Sequence, residues 1–203
     1  MPDPINWTAD LPYYLTALVA GYLLGSVPFG LLLTWLAGLG DIRKIGSGNI
    51  GATNVLRTGN KGLAAATLLL DCGKGALAVV IARNFGPDIT VIAAAGAFLG
   101  HLFPIWLKFH GGKGMATALG IFLALHWPVG LMVAGTWLVV AVVSRYSSLS
   151  ALVAALLAPV YFWSAQHYQM AELAAFIALL VLVRHSENIV RLVKGTESKI
   201  GAK

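Results

Sequence analysis

Pro12 to Leu39 reads PYYLTALVAGYLLGSVPFGLLLTWLAGL, an unbroken stretch without one charged side chain. A helix rises about 1.5 Å per residue, so about twenty apolar residues cross the hydrocarbon layer of a bilayer. This stretch is longer than a crossing needs. Its interruption is Gly25-Ser26-Val27-Pro28-Phe29-Gly30, where Pro28 removes a backbone donor and predicts a kink. Six more apolar stretches follow: Lys61 to Ile81, Ile89 to Lys108, Met115 to Leu125, Pro128 to Val143, Leu149 to Ala165 and Met170 to Val183. Met115 to Leu125 and Met170 to Val183 are short, so six crossings stand as the alternative to seven.

Composition agrees with this reading. The 203 residues are 58% hydrophobic and 11% charged, with mean hydropathy +0.80. Soluble domains carry about 25% charged residues. The expectation is a single domain, residues 1–203: an all-α polytopic membrane protein with a seven-transmembrane-helix bundle. The N-terminal segment has Asp3 and Asp10 and no Lys or Arg before Arg43, the wrong charge for a signal peptide. The lone cysteine, Cys72, excludes an internal disulfide.

The net charge of +6 would raise nucleic acid as a partner for a soluble protein. Here it sorts by side of the membrane. Alternating crossings put 41–60, 109–114, 144–148 and everything after Arg184 on one side. Those loops and the helix ends beside them hold twelve of the 14 Lys and Arg residues, the opposite side holds Arg83, and Lys74 lies within a span. Cytoplasmic loops collect Lys and Arg, so the N-terminus is expected outside and the C-terminus in the cytoplasm. No internal repeat is visible, which counts against a transporter built from inverted halves.

The first cytoplasmic loop reads Gly46-Ser47-Gly48-Asn49-Ile50-Gly51-Ala52-Thr53-Asn54-Val55-Leu56-Arg57. It contains a literal G-x-G-x-x-G, but a membrane helix rather than a strand precedes it, so the dinucleotide reading fails. The physics of the segment survives. Glycines let successive N–H groups turn into one concavity, Ser47, Asn49, Thr53 and Asn54 add neutral donors, and Arg57 adds a fork suited to phosphate. Ile50 to Leu56 is expected to form a short helix. The plain alternative is a polar connector. The second loop, His110-Gly111-Gly112-Lys113-Gly114, precedes a helix and again describes an anion site. It is not a Walker A motif, because Leu107 stands where a glycine is required and Gly114 replaces Ser or Thr. In the tail, Arg184, Asn188 and Arg191 share one face of a continuous helix, with His185 at its edge.

Asp71, Lys74 and His101 fall deeper, within spans. Intramembrane charges are expensive and usually paired. The i, i+3 spacing of Asp71 and Lys74 leaves an ion pair and a substrate contact both open. No His, Cys, Asp and Glu cluster has metal spacing, so neither metal nor another cofactor is expected. The H-x-x-x-x-D acyltransferase signature and the G-x-S-x-G elbow are both absent.

These residues, together with Arg145-Tyr146-Ser147-Ser148-Leu149 and the tail from Arg184 to Glu197, closely resemble the bacterial acyl-phosphate:glycerol-3-phosphate acyltransferases. The resemblance covers nearly the whole chain. It implies a seven-helix enzyme of phospholipid biosynthesis in the bacterial inner membrane, with its active site facing the cytoplasm. An acyl group would pass from long-chain acyl phosphate to the 1-hydroxyl of glycerol 3-phosphate, giving lysophosphatidic acid and phosphate. A peripheral acyl-phosphate synthase is the implied partner. Ser47, Arg57, Lys113, His185 and Asn188 are the catalytic candidates. Gly48, Asn49, Thr53, Asn54, Gly111, Gly112, Gly114, Ser148, Asp71, Lys74 and His101 are the substrate-binding candidates. Acyl phosphate is already activated, so no serine nucleophile is needed. These groups would orient two phosphates and offset their crowded charge. The base is either His185 or, as the resemblance suggests, the substrate's own phosphate. The rival is a transporter or exchanger of phosphorylated metabolites, which predicts polar residues continuing through the outer half. A scaffold for lipid enzymes is a third reading.

Overall fold

The structure is a computed structural model. It describes residues 7–46 and 48–201, with side chains from residue 11 onward. Ser47 therefore lies outside the described residues. Among the described residues ten α-helices run in order: α1 Trp7–Gly25, α2 Phe29–Leu36, α3 Ala52–Leu56, α4 Lys61–Ala82, α5 Pro87–Leu102, α6 Met115–Leu125, α7 Trp127–Ser144, α8 Ser147–Ser164, α9 Tyr168–Arg184 and α10 Ser186–Val193. No strand occurs among the described residues. They divide into two compact units, 7–124 and 125–201.

In the first unit, small residues set the packing. Gly21 and Gly25 on α1 face Gly96 and Gly100 on α5, four residues apart on each helix. A Cβ at Gly21 or Gly25 would overlap the Ala93 or Ala97 carbonyl; one at Gly96 or Gly100 would overlap that of Leu18 or Tyr22. Lipid supplies no hydrophobic drive between helices, so close backbone approach through paired small residues is what holds them together. Gly75 of α4 and Gly120 of α6 do the same against the Thr117 and Cys72 carbonyls. The kink expected at Pro28 is a complete break, with α1 ending at Gly25 and α2 starting at Phe29.

The second unit stacks α7 on α8 and α8 on α9. Ala151, Ala154, Ala155 and Ala158 of α8 and Ala171, Ala174 and Ala178 of α9 are all buried, which lets these helices approach closely. α7 stops at Arg145, whose N–H still donates to the Ala141 carbonyl at 2.9 Å and whose left-handed backbone (φ 63°) turns the chain out of the helix. Large apolar side chains point outward, among them Leu69, Val142 and Val143, which are 70–81% exposed. An outward apolar surface of this kind is solvated by lipid.

All seven apolar stretches are helical, but their lengths differ. Among the described residues, five helical stretches, Leu11–Leu36, Lys61–Phe85, Pro87–Leu107, Trp127–Ser144 and Ser147–Ser164, are long and apolar enough to cross a membrane. A sixth is reached if α9 and α10, bent by 62°, count as one span. α6 has 11 residues, a rise of only about 16 Å.

Candidate active site

The first loop is built around Asn54, which is 2% exposed. Its amide donates to the carbonyls of Ile42 (3.0 Å), Ile45 (3.0 Å) and Asn49 (2.7 Å). Its Oδ1 accepts from Arg57 Nη1 at 3.4 Å. Gly46 and Gly48 are left-handed (φ 57° and 67°), and a Cβ at Gly46 would meet the Arg57 guanidinium and Asn54 Oδ1. These glycines are needed for chain path as well as for access. Asn49 Oδ1 accepts from the Gly51 N–H at 3.0 Å, a local Asx turn. The expected short helix is present as the five residues of α3, too short for a sizeable dipole. Thr53 and Arg57 lie exposed on it and at its end. Upstream, the Arg43 side chain donates to Asp41, and with the Arg43 backbone N–H holds the Asp41 carboxyl at about 2.

The second loop follows the end of α5. The Gly111 N–H donates to Leu102 O at 3.1 Å and the Gly112 N–H to His101 O at 3.0 Å. A Cβ at Gly112 would strike the His101 ring, and one at Gly114 (φ 88°) would strike Phe98 and Leu102. Gly111 and Gly112 therefore spend their N–H groups on α5 carbonyls, which the sequence could not show. Lys113 is half-buried and Gly114 leads directly into α6, whose first turn supplies the N–H groups that lack intrahelical acceptors.

Asp71, Lys74 and His101 are 2–4% exposed and lie together. Lys74 Nζ is 2.7 Å from Asp71 Oδ1, and His101 Nδ1 is 3.7 Å from the same oxygen. Lys74 also donates to the Val27 carbonyl at 2.8 Å, at the break of the first span. The ion pair allowed by the i, i+3 spacing is thus present.

In the second unit, the tail helix is not continuous. The chain bends at His185, so Arg184 ends α9 while Asn188 and Arg191 belong to α10. Asn188, Arg191 and Ser148 meet on Glu197. Asn188 Nδ2 and Ser148 Oγ donate to Oε1 at 2.7 and 2.8 Å, and Arg191 Nε donates to Oε2 at 2.6 Å. Burial pushes the Glu197 carboxyl up, but bonds from Arg191, Asn188 and Ser148 more than offset it and leave it below its ordinary value. Sequence reasoning missed Glu197; its one signal is a lone acid among Lys194, Lys199 and Lys203. His185 is 3% exposed, and its Nδ1 lies 2.8 Å from the Val181 carbonyl. A carbonyl only accepts, so Nδ1 carries the hydrogen in this contact.

Lipid-facing helices joined by turns rich in glycine and cations define an integral, multi-pass membrane protein suited to anionic groups. The chain belongs to the glycerol-3-phosphate acyltransferase family, which it matches over residues 15–195, and it is an acyltransferase. Similar proteins include the glycerol-3-phosphate acyltransferase of Mesorhizobium japonicum, 62% identical over 93% of this chain and 97% of that one. That of Rhodopseudomonas palustris (strain BisB5) is 60% identical over 94% and 97%. Among solved structures, PlsY, an integral membrane glycerol 3-phosphate acyltransferase, in its glycerol 3-phosphate form has a TM-score of 0.88 and 36% identity over 93% of this chain and 96% of that one. The lysophosphatidic acid form of PlsY gives 0.86 and 35% over 93% and 95%.

Proposed function

We propose that the chain moves an acyl group from acyl phosphate to the 1-hydroxyl of glycerol 3-phosphate, releasing lysophosphatidic acid and inorganic phosphate. One observation supports the acceptor and the product: the similar PlsY structures are a glycerol 3-phosphate form and a lysophosphatidic acid form. The hydroxyl oxygen attacks the acyl carbonyl, a carbon–oxygen ester bond forms, and the bond to the phosphate oxygen breaks. The hydroxyl proton leaves to the substrate's own phosphate or to His185 Nε2.

Both substrates are phosphorylated, so the reaction crowds negative charge. In the first unit, Lys113 and the first turn of α6 suit the acyl phosphate, and Arg57 with Ser47, Gly48, Asn49 and Thr53 suits glycerol 3-phosphate. Asn54, with its amide turned inward, gives that loop its shape. Gly111, Gly112 and Gly114 set the path of the Lys113 turn. In the second unit, Asn188 and Ser148 are oriented by Glu197, and His185 is oriented by the Val181 carbonyl. This face is cytoplasmic in our reading, with seven crossings, the N-terminus outside the inner membrane, and a peripheral synthase supplying the acyl phosphate.

Purified protein in detergent, given glycerol 3-phosphate and palmitoyl phosphate, is expected to release phosphate only with both present. Lys113→Ala is expected to lower kcat about a hundredfold, the scale of losing one charge-stabilising group. Release that persists without glycerol 3-phosphate, or is indifferent to Lys113→Ala, would refute the proposal. His185→Gln separates the two bases: near-full turnover would exclude His185.

A further inference from the structure

Three charged or chargeable groups are buried in the first unit, and the acyltransferase chemistry above uses none of them. The Lys74 ammonium is surrounded by Asp71 Oδ1 at 2.7 Å, the Val27 carbonyl at 2.8 Å and the Phe29 ring, 5.7 Å to its centroid. The ammonium thus has one hydrogen-bond acceptor, one carboxylate at ion-pair distance and one aromatic face around it. Val27 and Phe29 flank Pro28, so Lys74 fastens the break between α1 and α2. α2 in turn carries Gly30, whose α-carbon lies so near the Ile50 carbonyl that no Cβ fits between them. Ile50 belongs to the first glycine-rich loop.

The opposite side of the cluster reaches the second loop. Asp71 Oδ1 faces His101 Nδ1, the His101 ring fills the space in front of Gly112, and the His101 carbonyl accepts the Gly112 N–H. Gly112 precedes Lys113. Two more bonds tie the break to the end of α5 and the turn after it: Tyr22 Oη to the Phe103 carbonyl, and Trp106 Nε1 to Ser26 Oγ, both 2.7 Å.

We propose that Asp71, Lys74 and His101 are positioning residues: one buried charge cluster that fixes both glycine-rich loops of this unit through their supports and touches neither substrate. The idea rests on the acyltransferase reading. Lys74 sets the height of α2 beneath Ile50, and His101 sets the Gly112 turn before Lys113. Asp71 lies between the Lys74 ammonium and the His101 ring. Misplacement of either loop lowers turnover, since small errors in aligning reacting groups are costly.

The test is a kinetic split with a rescue, read with glycerol 3-phosphate and palmitoyl phosphate beside a melting curve in detergent. Lys74→Met removes the ammonium at nearly constant volume and strands the Asp71 carboxylate. It is expected to lower kcat by about tenfold or more, with both KM values within about threefold, as loss of a transition-state alignment requires. Adding Asp71→Asn removes the stranded charge. The pair is expected to melt close to the unaltered protein and to regain part of kcat, while the missing bond to Val27 keeps it below full rate. If neither Lys74 variant folds, His101→Gln carries the same split. A rise of about tenfold in one KM with kcat preserved marks a substrate contact and overturns the proposal. A paired variant no better than Lys74→Met, or a kcat that merely follows the melting temperature, overturns it too. Absence of turnover in the unaltered protein would instead bring down the acyl-phosphate reaction proposed above, and this inference with it.

Discussion

Glu197 gathers Ser148, Asn188 and Arg191 from three places in the chain, and its side chain is 7% exposed. Hydrogen bonds to a charged group contribute about 1.5–3 kcal/mol each, so Glu197→Gln is expected to destabilise the second unit by about that much. Urea unfolding in detergent measures it. The carboxyl's folded-state value lies below its ordinary 4.5, so its contribution is complete above that pH and fades as pH falls through the folded value. The gap in stability between the unaltered protein and Glu197→Gln should therefore narrow from pH 7 toward pH 3. Sequence reasoning did not see this residue because its partners lie 6 to 49 positions away. By contrast, the Asp71–Lys74 pair was legible, because a helix brings i and i+3 together whatever the tertiary fold. Asn54 was read as a donor to substrate; its burial beneath three loop carbonyls is a tertiary fact no spacing shows.

At the scale of elements, the helices were legible because apolar length is a local property. The broken first span was legible through Pro28. The bend at His185 was not, because the polar run Arg184-His185-Ser186-Glu187-Asn188 is compatible with a continuing helix and holds neither a proline nor a glycine. The α1–α5 contact was also hidden until the two helices were seen side by side, though each carries glycines four apart. Gly96→Leu forces a branched side chain into the Leu18 carbonyl. Overpacking of this kind costs about 1–3 kcal/mol, and a lower melting temperature in detergent would register it. Gly135 on α7 has open space where its Cβ would go, so Gly135→Ala is the control and should not lower the melting temperature.

For the whole molecule, the charge asymmetry carries the topology. Twelve of 14 Lys and Arg residues fall in loops assigned to one side, and from this we propose that the C-terminus is cytoplasmic. A fluorescent protein fused after Lys203 should glow in a bacterial host, and an alkaline phosphatase fused there should be inactive; the reverse pattern would invert the assignment. The identity of the acyl donor defines the reaction. Its most direct measurement is product analysis with labelled glycerol 3-phosphate and purified protein, offered palmitoyl phosphate in one reaction and palmitoyl coenzyme A in another. Labelled lysophosphatidic acid and phosphate are expected in equal amounts from palmitoyl phosphate, with no labelled product from the thioester. Label entering lysophosphatidic acid from the thioester alone would contradict it.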